Sequence, residues 1–217
     1  MTIEQNIAEI KSTLPAYVKL VAVSKTFPES AISEAYGCGQ RAFAENRPQE
    51  LAAKRALLPD DIEWHFIGSL QTNKVKQVVP CVSLIHSIDS ARLLEAVDAR
   101  SALCGRVTDV LFELHVAREA SKHGWDEEEL MLFVDSGKPQ MMSNIRLKGV
   151  MSMASFTDDV AVVRSEFRRT RAIFERLRGC LGEQFDTVSM GMSGDYKIAV
   201  EEGTTLVRVG SSIFGRR

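Results

Sequence analysis

Lys25 is the first residue whose type and position suggest chemistry. It follows VKLVAVS (residues 18–24), a run of apolar and β-branched residues that predicts a buried strand. An amine at the end of such a strand is expected to be partly desolvated, which disfavours its charged form and makes it a nucleophile toward an aldehyde. The alternative is a solvated lysine that opens a loop, and for a single strand-end lysine this alternative is the more common one.

Two loops rich in glycine and serine form the second candidate. They are SMGMSG (residues 189–194) and VGSS (residues 209–212), near the end of the chain. Glycine lets backbone N–H groups approach an anion and serine hydroxyls add donors, so such loops are typical of a phosphate site. Each loop taken alone is equally compatible with a simple turn. Arg208 directly precedes the second loop and adds a fixed positive charge.

The elements that must position these groups alternate along the chain between β-branched runs and amphipathic segments. The first segment predicts a helix, with capping-box spacing between Thr2 and Gln5 and an end at Pro15. Eight strands are predicted, over Tyr17–Ser24, Arg41–Glu45, Ile62–Gly68, Val82–Ile88, Thr108–Val116, Ile145–Met153, Phe185–Ser193 and Thr205–Gly210. Helices are predicted between them over Ser30–Gly39, Pro48–Leu58, Thr72–Val79, Asp89–Leu103, Asp126–Gly137, Asp158–Gly179 and Asp195–Gly203, with a last turn at 211–214.

Strict alternation of strand and helix predicts a parallel sheet with crossover connections. Eight such units favour a closed (β/α)8 TIM barrel over an open doubly wound sheet of the flavodoxin or Rossmann kind. No G-x-G-x-x-G motif follows the first strand, which counts against a dinucleotide site. In such a barrel the carboxyl ends of all strands meet at one mouth, and the loops after the last two strands commonly bind phosphate.

On this topology Lys25, Arg208 and the two loops face one another across the barrel mouth. A small aromatic aldehyde that carries a phosphate would satisfy all three groups. Pyridoxal 5′-phosphate (PLP) is such a molecule, and it forms a Schiff base with lysine. The sequence therefore predicts PLP as the cofactor.

The overall composition limits the other partners. Lys and Arg number 27 and Asp and Glu 29, a net charge of −2, which gives no global attraction to nucleic acid or to a membrane. The four cysteines are scattered without a CxxC pair, and His65 has no second ligand at metal spacing, so neither a zinc site nor a disulfide framework is expected. We expect a single domain over residues 1–217, cytoplasmic and monomeric rather than oligomeric, with His65 either in the barrel mouth or in a hydrogen-bonded layer.

Several motifs resemble those of the pyridoxal phosphate homeostasis proteins. They are LVAVSKTFP (20–28), AEN (44–46), WHFIGSLQTNK (64–74), HSID (86–89), SKHG (121–124), KGVMSM (148–153) and the segment SMGMSGDYKIAVEEGTTLVRVGSSIFGRR (189–217). The resemblance implies a (β/α)8 barrel similar to the N-terminal domain of alanine racemase. It also implies the roles of single residues, with Lys25 as the Schiff-base lysine, Asn46 near the cofactor ring, Arg208 at the pyridine nitrogen, Ser193, Gly210 and Ser211 at the phosphate, and the backbone of Met192 nearby. Ala44 departs from the family, which usually has glycine there.

Arg208 also bears on whether the chain is an enzyme. Its positive charge discourages protonation of the pyridine nitrogen, and an unprotonated ring is a poor electron sink. In alanine racemase the second base is a tyrosine from a separate domain, and this chain ends after its eighth strand with Tyr17, Tyr36 and Tyr196 predicted elsewhere. We therefore expect no enzyme but a protein that holds PLP and delivers it to cofactor-free PLP-dependent enzymes in vitamin B6 homeostasis. A weak amino-acid racemase is the alternative, and a protein-binding scaffold with a vestigial pocket is a third hypothesis.

Overall fold

The computed structural model describes residues 1–117 and 123–215 of the chain. Part of the SKHG motif and the terminal Arg216 and Arg217 lie outside these ranges. The strands are β1 (Lys19–Val23), β2 (Ala42–Glu45), β3 (Glu63–Phe66), β4 (Leu84–Ile88), β5 (Thr108–Leu114), β6 (Ile145–Ser152), β7 (Thr187–Ser189) and β8 (Leu206–Val209). The helices are α1 (Ile3–Thr13), α2 (Glu29–Gly37), α3 (Pro48–Leu57), α4 (Val75–Val78), α5 (Ala91–Leu103), α6 (Glu127–Asp135), α7 (Val160–Leu181), α8 (Tyr196–Glu201) and α9 (Ser211–Phe214).

The strands close into one parallel barrel in sequence order, with β8 returning to pair with β1. The pairing of β8 with β1 runs from Leu206 opposite Lys19 to Val209 opposite Ala22. The predicted (β/α)8 barrel is confirmed, and the open doubly wound alternative is excluded because the first and last strands are hydrogen-bonded. This closure brings the end of β8 beside the end of β1, which leads into Lys25.

Two predicted elements differ from the structure. The predicted helix Thr72–Val79 is divided in the structure into a 3-10 turn, the short α4 and a second 3-10 turn. Pro80 lies in the second 3-10 turn and has no N–H with which to continue an α-helix. The predicted strand Phe185–Ser193 shortens to β7, since Gly191 adopts φ +95° and turns the chain away from the sheet. A Cβ at Gly191 would lie 2.6 Å from Cβ of Ala199, so α8 packs directly on this turn.

The alternation of side chains along each strand divides the core into two layers. On β1, Leu20 and Ala22 belong to the outer core between the strands and the helices, while Val21 and Val23 belong to a smaller core inside the barrel. The outer layer is the larger one because each helix packs its apolar face against the strands. Within residues 1–117 and 123–215, no helix is both long enough and apolar enough to cross a membrane.

Candidate functional site

The period of two along the strands predicts which side chains reach the barrel mouth. Residues two positions beyond the last inward-facing residue of a strand continue on the inner face, where the loops begin. This places Lys25 beyond Val23, Asn46 beyond Ala44, and Arg208 and Gly210 beyond Leu206. The strand pattern therefore places an amine, an amide and a guanidinium at one opening, together with a glycine that lets the backbone come close to a ligand.

A cavity of about 420 Å³ lies at this mouth. Its volume falls in the range typical of small-molecule sites, roughly 300–1,000 Å³. All seven residues singled out from the sequence line it, namely Lys25, Asn46, Met192, Ser193, Arg208, Gly210 and Ser211. The structure thus brings the whole predicted set into one space.

Lys25 itself is exposed, so the predicted partial desolvation is wrong for this structure. The reason is geometric, because Lys25 lies beyond β1, where the barrel is open and no neighbouring strand covers the side chain. Its backbone, in contrast, is held from both sides. Nζ of Lys54 donates to the carbonyl of Ser24 at 2.9 Å, and a carboxylate oxygen of Glu50 accepts from the N–H of Thr26 at 2.6 Å.

A buried ion pair supports this clamp on the Lys25 backbone. Nζ of Lys54 lies 2.8 Å from Oε1 of Glu45, with the two side chains 4% and 0% exposed. The same oxygen accepts from the hydroxyl of Ser24 at 2.6 Å. Burial raises the pKa of Glu45, and its bonds with Lys54 and Ser24 oppose that shift. Thr26 adopts φ +70°, a left-handed conformation that a β-branched residue rarely takes.

Arg208 is held by groups inside the barrel. Its Nη1 donates to the carbonyl and hydroxyl oxygens of Ser189 at 2.8 and 2.6 Å, and its Nη2 donates to the carbonyl of Ser152 at 2.9 Å. Burial lowers the pKa of Arg208 to about 10, so the guanidinium remains protonated near neutral pH. Arg208 therefore presents a donor-only group at a fixed position in the cavity wall.

The bonds continue from Arg208 to a histidine layer below the cavity. Nδ1 of His86 lies 3.0 Å from the hydroxyl of Ser189, and Nε2 of His86 lies 2.9 Å from Nδ1 of His65. Because a guanidinium only donates, the Ser189 hydroxyl accepts from Arg208 and keeps its own proton for His86. Each neutral ring then carries its proton on Nε2, and Nε2 of His86 donates to Nδ1 of His65. Burial lowers the pKa of His65 to about 3 and that of His86 well below its usual value.

The two glycine and serine loops meet at the other side of the cavity. The hydroxyl of Ser193 accepts from the backbone N–H of Gly210 at 3.2 Å and from that of Ser212 at 3.4 Å. A Cβ at Gly210 would lie 3.1 Å from the carbonyl oxygen of Val23, so only glycine lets this loop approach β1 without displacement. The N–H of Met192 donates to the carboxylate of Asp195, which commits that backbone group within its own loop.

Asn46 contributes a buried polar atom to the cavity. Among residues 1–117 and 123–215, its Oδ1 has no hydrogen-bond partner, although the residue lines the cavity. An unpaired buried acceptor costs free energy, so such an atom beside a cavity indicates a position where a ligand donates. The backbone of Asn46 is fixed by Gly68, where a Cβ would lie only 2.2 Å from the Asn46 carbonyl oxygen.

The sequence did not single out every residue of the cavity. Ile67, Met151, Met153 and Phe156 also line it, and the Phe156 ring is fully exposed. Met153 and Met192 are 46% and 37% exposed and border the opening. The alternation of side chains along β6 predicts that Met153 faces the cavity, since it continues the inner face after Met151. Phe156 follows the strand in a loop, and no sequence pattern predicts its position.

Other features of the described ranges do not compete with this cavity. No group of three or more His, Cys, Asp or Glu side chains is arranged to hold a metal ion in the part of the chain that the structure covers. A groove of about 740 Å³ between α6 and α7 is lined mainly by charged side chains, and its described lining residues all belong to these two helices and the N-cap of α6. His65 lies in the hydrogen-bonded layer, facing His86 rather than a carboxylate.

Comparisons with known proteins agree with this architecture. A family model described as "Alanine racemase, N-terminal domain" matches residues 1–217. A curated relative from Aquifex aeolicus (strain VF5), named "Pyridoxal phosphate homeostasis protein", is 39% identical over 200 residues, which cover 92% of this chain and 87% of the relative.

Solved structures also resemble this chain over almost its whole length. The structure of PipY from Synechococcus elongatus PCC7942 with PLP bound is 35% identical with a TM-score of 0.92, covering 99% of this chain and 100% of that chain. Alanine racemase from Streptomyces coelicolor A3(2) is 19% identical with a TM-score of 0.77, covering 99% of this chain and 58% of that chain. At that lower identity the likeness shows the barrel fold alone.

Proposed function

Because the chain belongs to the family of pyridoxal phosphate homeostasis proteins, which share the N-terminal barrel of alanine racemase, we propose that it binds PLP and holds it for delivery to other proteins. The observation that carries the proposal is that one cavity is lined by Lys25, by Arg208 and by the two loops that contain Ser193 and Gly210. Residues 1–217 form one cofactor-binding domain in this proposal, with PLP at the barrel mouth.

The polar groups of the cavity fit the chemistry of PLP. The hydroxyls of Ser193 and Ser211 and the start of the short turn after Gly210 suit a phosphate. The unpaired Oδ1 of Asn46 suits a hydroxyl donor on the ring, and Arg208 suits the ring nitrogen as an acceptor. When bound, the cofactor would supply an aldehyde that can form a Schiff base with an amine, and Lys25 presents an amine in the lining of this cavity.

The surrounding residues favour holding over turnover. The Glu45–Lys54 pair and Glu50 fix the backbone on either side of Lys25, so its amine is presented from a rigid base. The charge of Arg208 opposes protonation of a ring nitrogen beside it, which keeps the ring a poor electron sink. Arg208 is itself locked by Ser189 and Ser152 and cannot turn away.

Racemisation would require a second base opposite Lys25. None of the three tyrosines lines the cavity. Tyr17 is exposed, the hydroxyl of Tyr36 donates to Asp61, and the hydroxyl of Tyr196 lies 3.3 Å from that of Thr13. We therefore propose that the chain is not an amino-acid racemase, and chiral analysis of L-alanine incubated with the loaded protein tests this. Conversion to D-alanine above a protein-free control would overturn it.

The test of PLP binding is borohydride reduction followed by peptide mass spectrometry. The purified protein is incubated with PLP, reduced and digested, and the reduced adduct is expected on the peptide that contains Lys25. Lys25→Arg is the matched control, because it keeps the charge but has no primary amine to link. An unlabelled protein, or a label that persists in Lys25→Arg, would contradict the proposal.

Delivery and oligomeric state need separate measurements. We propose that the loaded protein acts as a monomer in the cytoplasm and restores activity to a cofactor-free PLP-dependent enzyme. Transfer is measured as recovered activity of that enzyme, with an equal concentration of free PLP and the borohydride-reduced protein as controls. Recovery no faster than the free-PLP control would reject delivery while leaving PLP binding intact. Size-exclusion chromatography with light scattering reports the mass in solution.

A further inference from the structure

Ser189 joins Arg208 to the interior of the barrel. Its hydroxyl accepts from Nη1 of Arg208 at 2.6 Å and lies 3.0 Å from Nδ1 of His86, and the side chain is fully buried. Ser189 does not line the cavity of about 420 Å³ that Arg208 lines. An effect of the Ser189 hydroxyl on a ligand in that cavity therefore has to pass through Arg208.

The hydrogen bonds of this buried layer run in one direction, away from the charge of Arg208. A guanidinium only donates, so the Ser189 hydroxyl accepts from it and gives its own proton to Nδ1 of His86. Nε2 of His86 then donates to Nδ1 of His65 at 2.9 Å. In these side chains the acceptor lone pairs face the cation and the protons point away from it. Aligned hydrogen bonds polarise one another, which strengthens the hold of Ser189 on Arg208.

The bonds that fix Arg208 leave part of its guanidinium for a ligand. Ser189 takes both protons of Nη1, one on its carbonyl oxygen at 2.8 Å and one on its hydroxyl. The carbonyl of Ser152 takes one proton of Nη2 at 2.9 Å. The N–H of Nε and the second N–H of Nη2 are not used by these bonds, and Arg208 lines the cavity. Because the guanidinium is planar and is held at both Nη atoms, these remaining donors keep a fixed direction.

The partners of Arg208 are neutral, which preserves its charge. Within residues 1–117 and 123–215, Arg208 bonds to carbonyl and hydroxyl oxygens and forms no ion pair with a carboxylate. A carboxylate would offset the positive charge, whereas neutral oxygens fix the position of the guanidinium and leave its charge to act on a ligand. A charged N–H donor stabilises a ring nitrogen that carries a lone pair and disfavours a protonated one. It makes no hydrogen bond to a C–H group at the same place.

We propose that Ser189 and His86 are positioning residues that hold Arg208 as a fixed, charged donor, and that the site thereby selects an aromatic ring whose nitrogen is unprotonated. The inference rests on the proposed function, in which this ring is the pyridine of PLP. Ser189 fixes the guanidinium directly. His86 acts one bond further away, because its Nδ1 takes the Ser189 proton and so keeps a hydroxyl lone pair on Arg208. His65 accepts from Nε2 of His86 and so fixes the tautomer in which Nδ1 is an acceptor.

The test compares PLP with its carbocyclic analogue, in which a C–H group replaces the ring nitrogen. Both molecules carry the aldehyde and the phosphate, so the ratio of their dissociation constants isolates the contribution of the ring nitrogen. Each constant is measured by equilibrium ultrafiltration with wild type, Ser189→Ala and the matched control Ser87→Ala. Ser87 is also buried on a strand, and its hydroxyl has no hydrogen-bond partner among the described residues. We expect wild type to prefer PLP by about tenfold to hundredfold, as for one hydrogen bond from a charged donor.

The variants are expected to change the ratio rather than binding in general. Ser189→Ala should reduce the preference for PLP by about tenfold, while its affinity for the analogue stays within about threefold of wild type. Ser87→Ala should match wild type with both ligands. His86→Leu should reduce the preference by about threefold, and His86→Asn, whose side-chain oxygen can accept the Ser189 proton, should preserve it.

The outcomes are distinct. A role in folding alone would weaken both ligands equally, so an unchanged ratio in Ser189→Ala would overturn the inference. If circular dichroism shows that Ser189→Ala does not fold, the ratio in His86→Leu decides in the same way. Equal binding of PLP and the analogue by wild type overturns the inference without any variant. A wild type that carries no borohydride label on Lys25 would instead overturn the proposed function.

Discussion

Replacing Lys54 by methionine tests the support beneath Lys25 most directly. Lys54 is almost fully buried and pairs with Glu45, whose side chain has no exposure. Methionine has a similar length, so the change removes charge and hydrogen bonds while leaving little empty space. Breaking a buried pair from one side costs about 3–5 kcal/mol, because the remaining charge is left without compensation.

The lower end of that range applies here. Glu45 keeps its bond from the Ser24 hydroxyl, and its pKa is already raised by burial, so it takes up a proton rather than remaining charged alone. We therefore expect Lys54→Met to lower the free energy of unfolding by about 3 kcal/mol. For a chain of this size each kcal/mol corresponds to roughly 2–4 °C, which predicts a fall in Tm of roughly 6–12 °C.

The assay is urea unfolding followed by far-UV circular dichroism, with PLP loading measured on the same samples. Loading is expected to weaken, because the bond from Lys54 to the Ser24 carbonyl is lost next to Lys25. The double variant Glu45→Gln with Lys54→Met removes both charges and should recover at least about 1 kcal/mol relative to the additive sum. A stability change within about 0.5 kcal/mol for Lys54→Met, or strict additivity in the double variant, would refute the role assigned to the pair.

Three further predictions concern the cavity and its pH dependence. Gly210→Ala should weaken PLP loading at least tenfold and lower the free energy of unfolding by about 1–3 kcal/mol, since its Cβ would press on Val23. Gly194→Ala is the control, because the space around Gly194 is open, and it should have neither effect in the same PLP titration and unfolding measurement. Glu113→Gln should remove a loss of stability that wild type shows as pH rises from about 4.5 to about 7, measured by urea unfolding at each pH. His65→Gln should reduce the loss of stability that wild type shows as pH falls from about 6.5 to about 3, by the same measurement.

The opposite signs of the two pH effects follow from proton counts. The folded state holds the proton of Glu113 up to about pH 7, while the unfolded chain releases it near 4.5, so between these values the folded state binds more protons and loses stability as pH rises. The full shift corresponds to on the order of 3 kcal/mol. For His65 the unfolded chain binds the proton first, so stability is lost as pH falls. A pH profile of Glu113→Gln parallel to wild type would contradict the first assignment.

The sequence by itself determined the order of the elements and the barrel. Apolar residues recur with period two in the strands and with helical spacing between them, and these local patterns fix which segments form each element. The same period of two placed Lys25 and Arg208 on the inner face at the carboxyl ends of their strands. Glycines at 191 and 210 were readable as loop residues, because a glycine next to a serine cluster is typical of a close backbone approach.

Only the tertiary structure decided which side chains pair. Lys54 has the sequence context of a solvated helix residue, yet the barrel buries it against Glu45 because α3 packs over the end of β2. His86 and Ser189 are 103 positions apart. The Ser189 hydroxyl bonds to both His86 and Arg208 only because β4, β7 and β8 point side chains into one interior. The exposure of Lys25 is likewise set by its place at the mouth of the closed barrel. Local sequence specifies the direction of a side chain, whereas its partners and its access to solvent depend on residues far away in the chain.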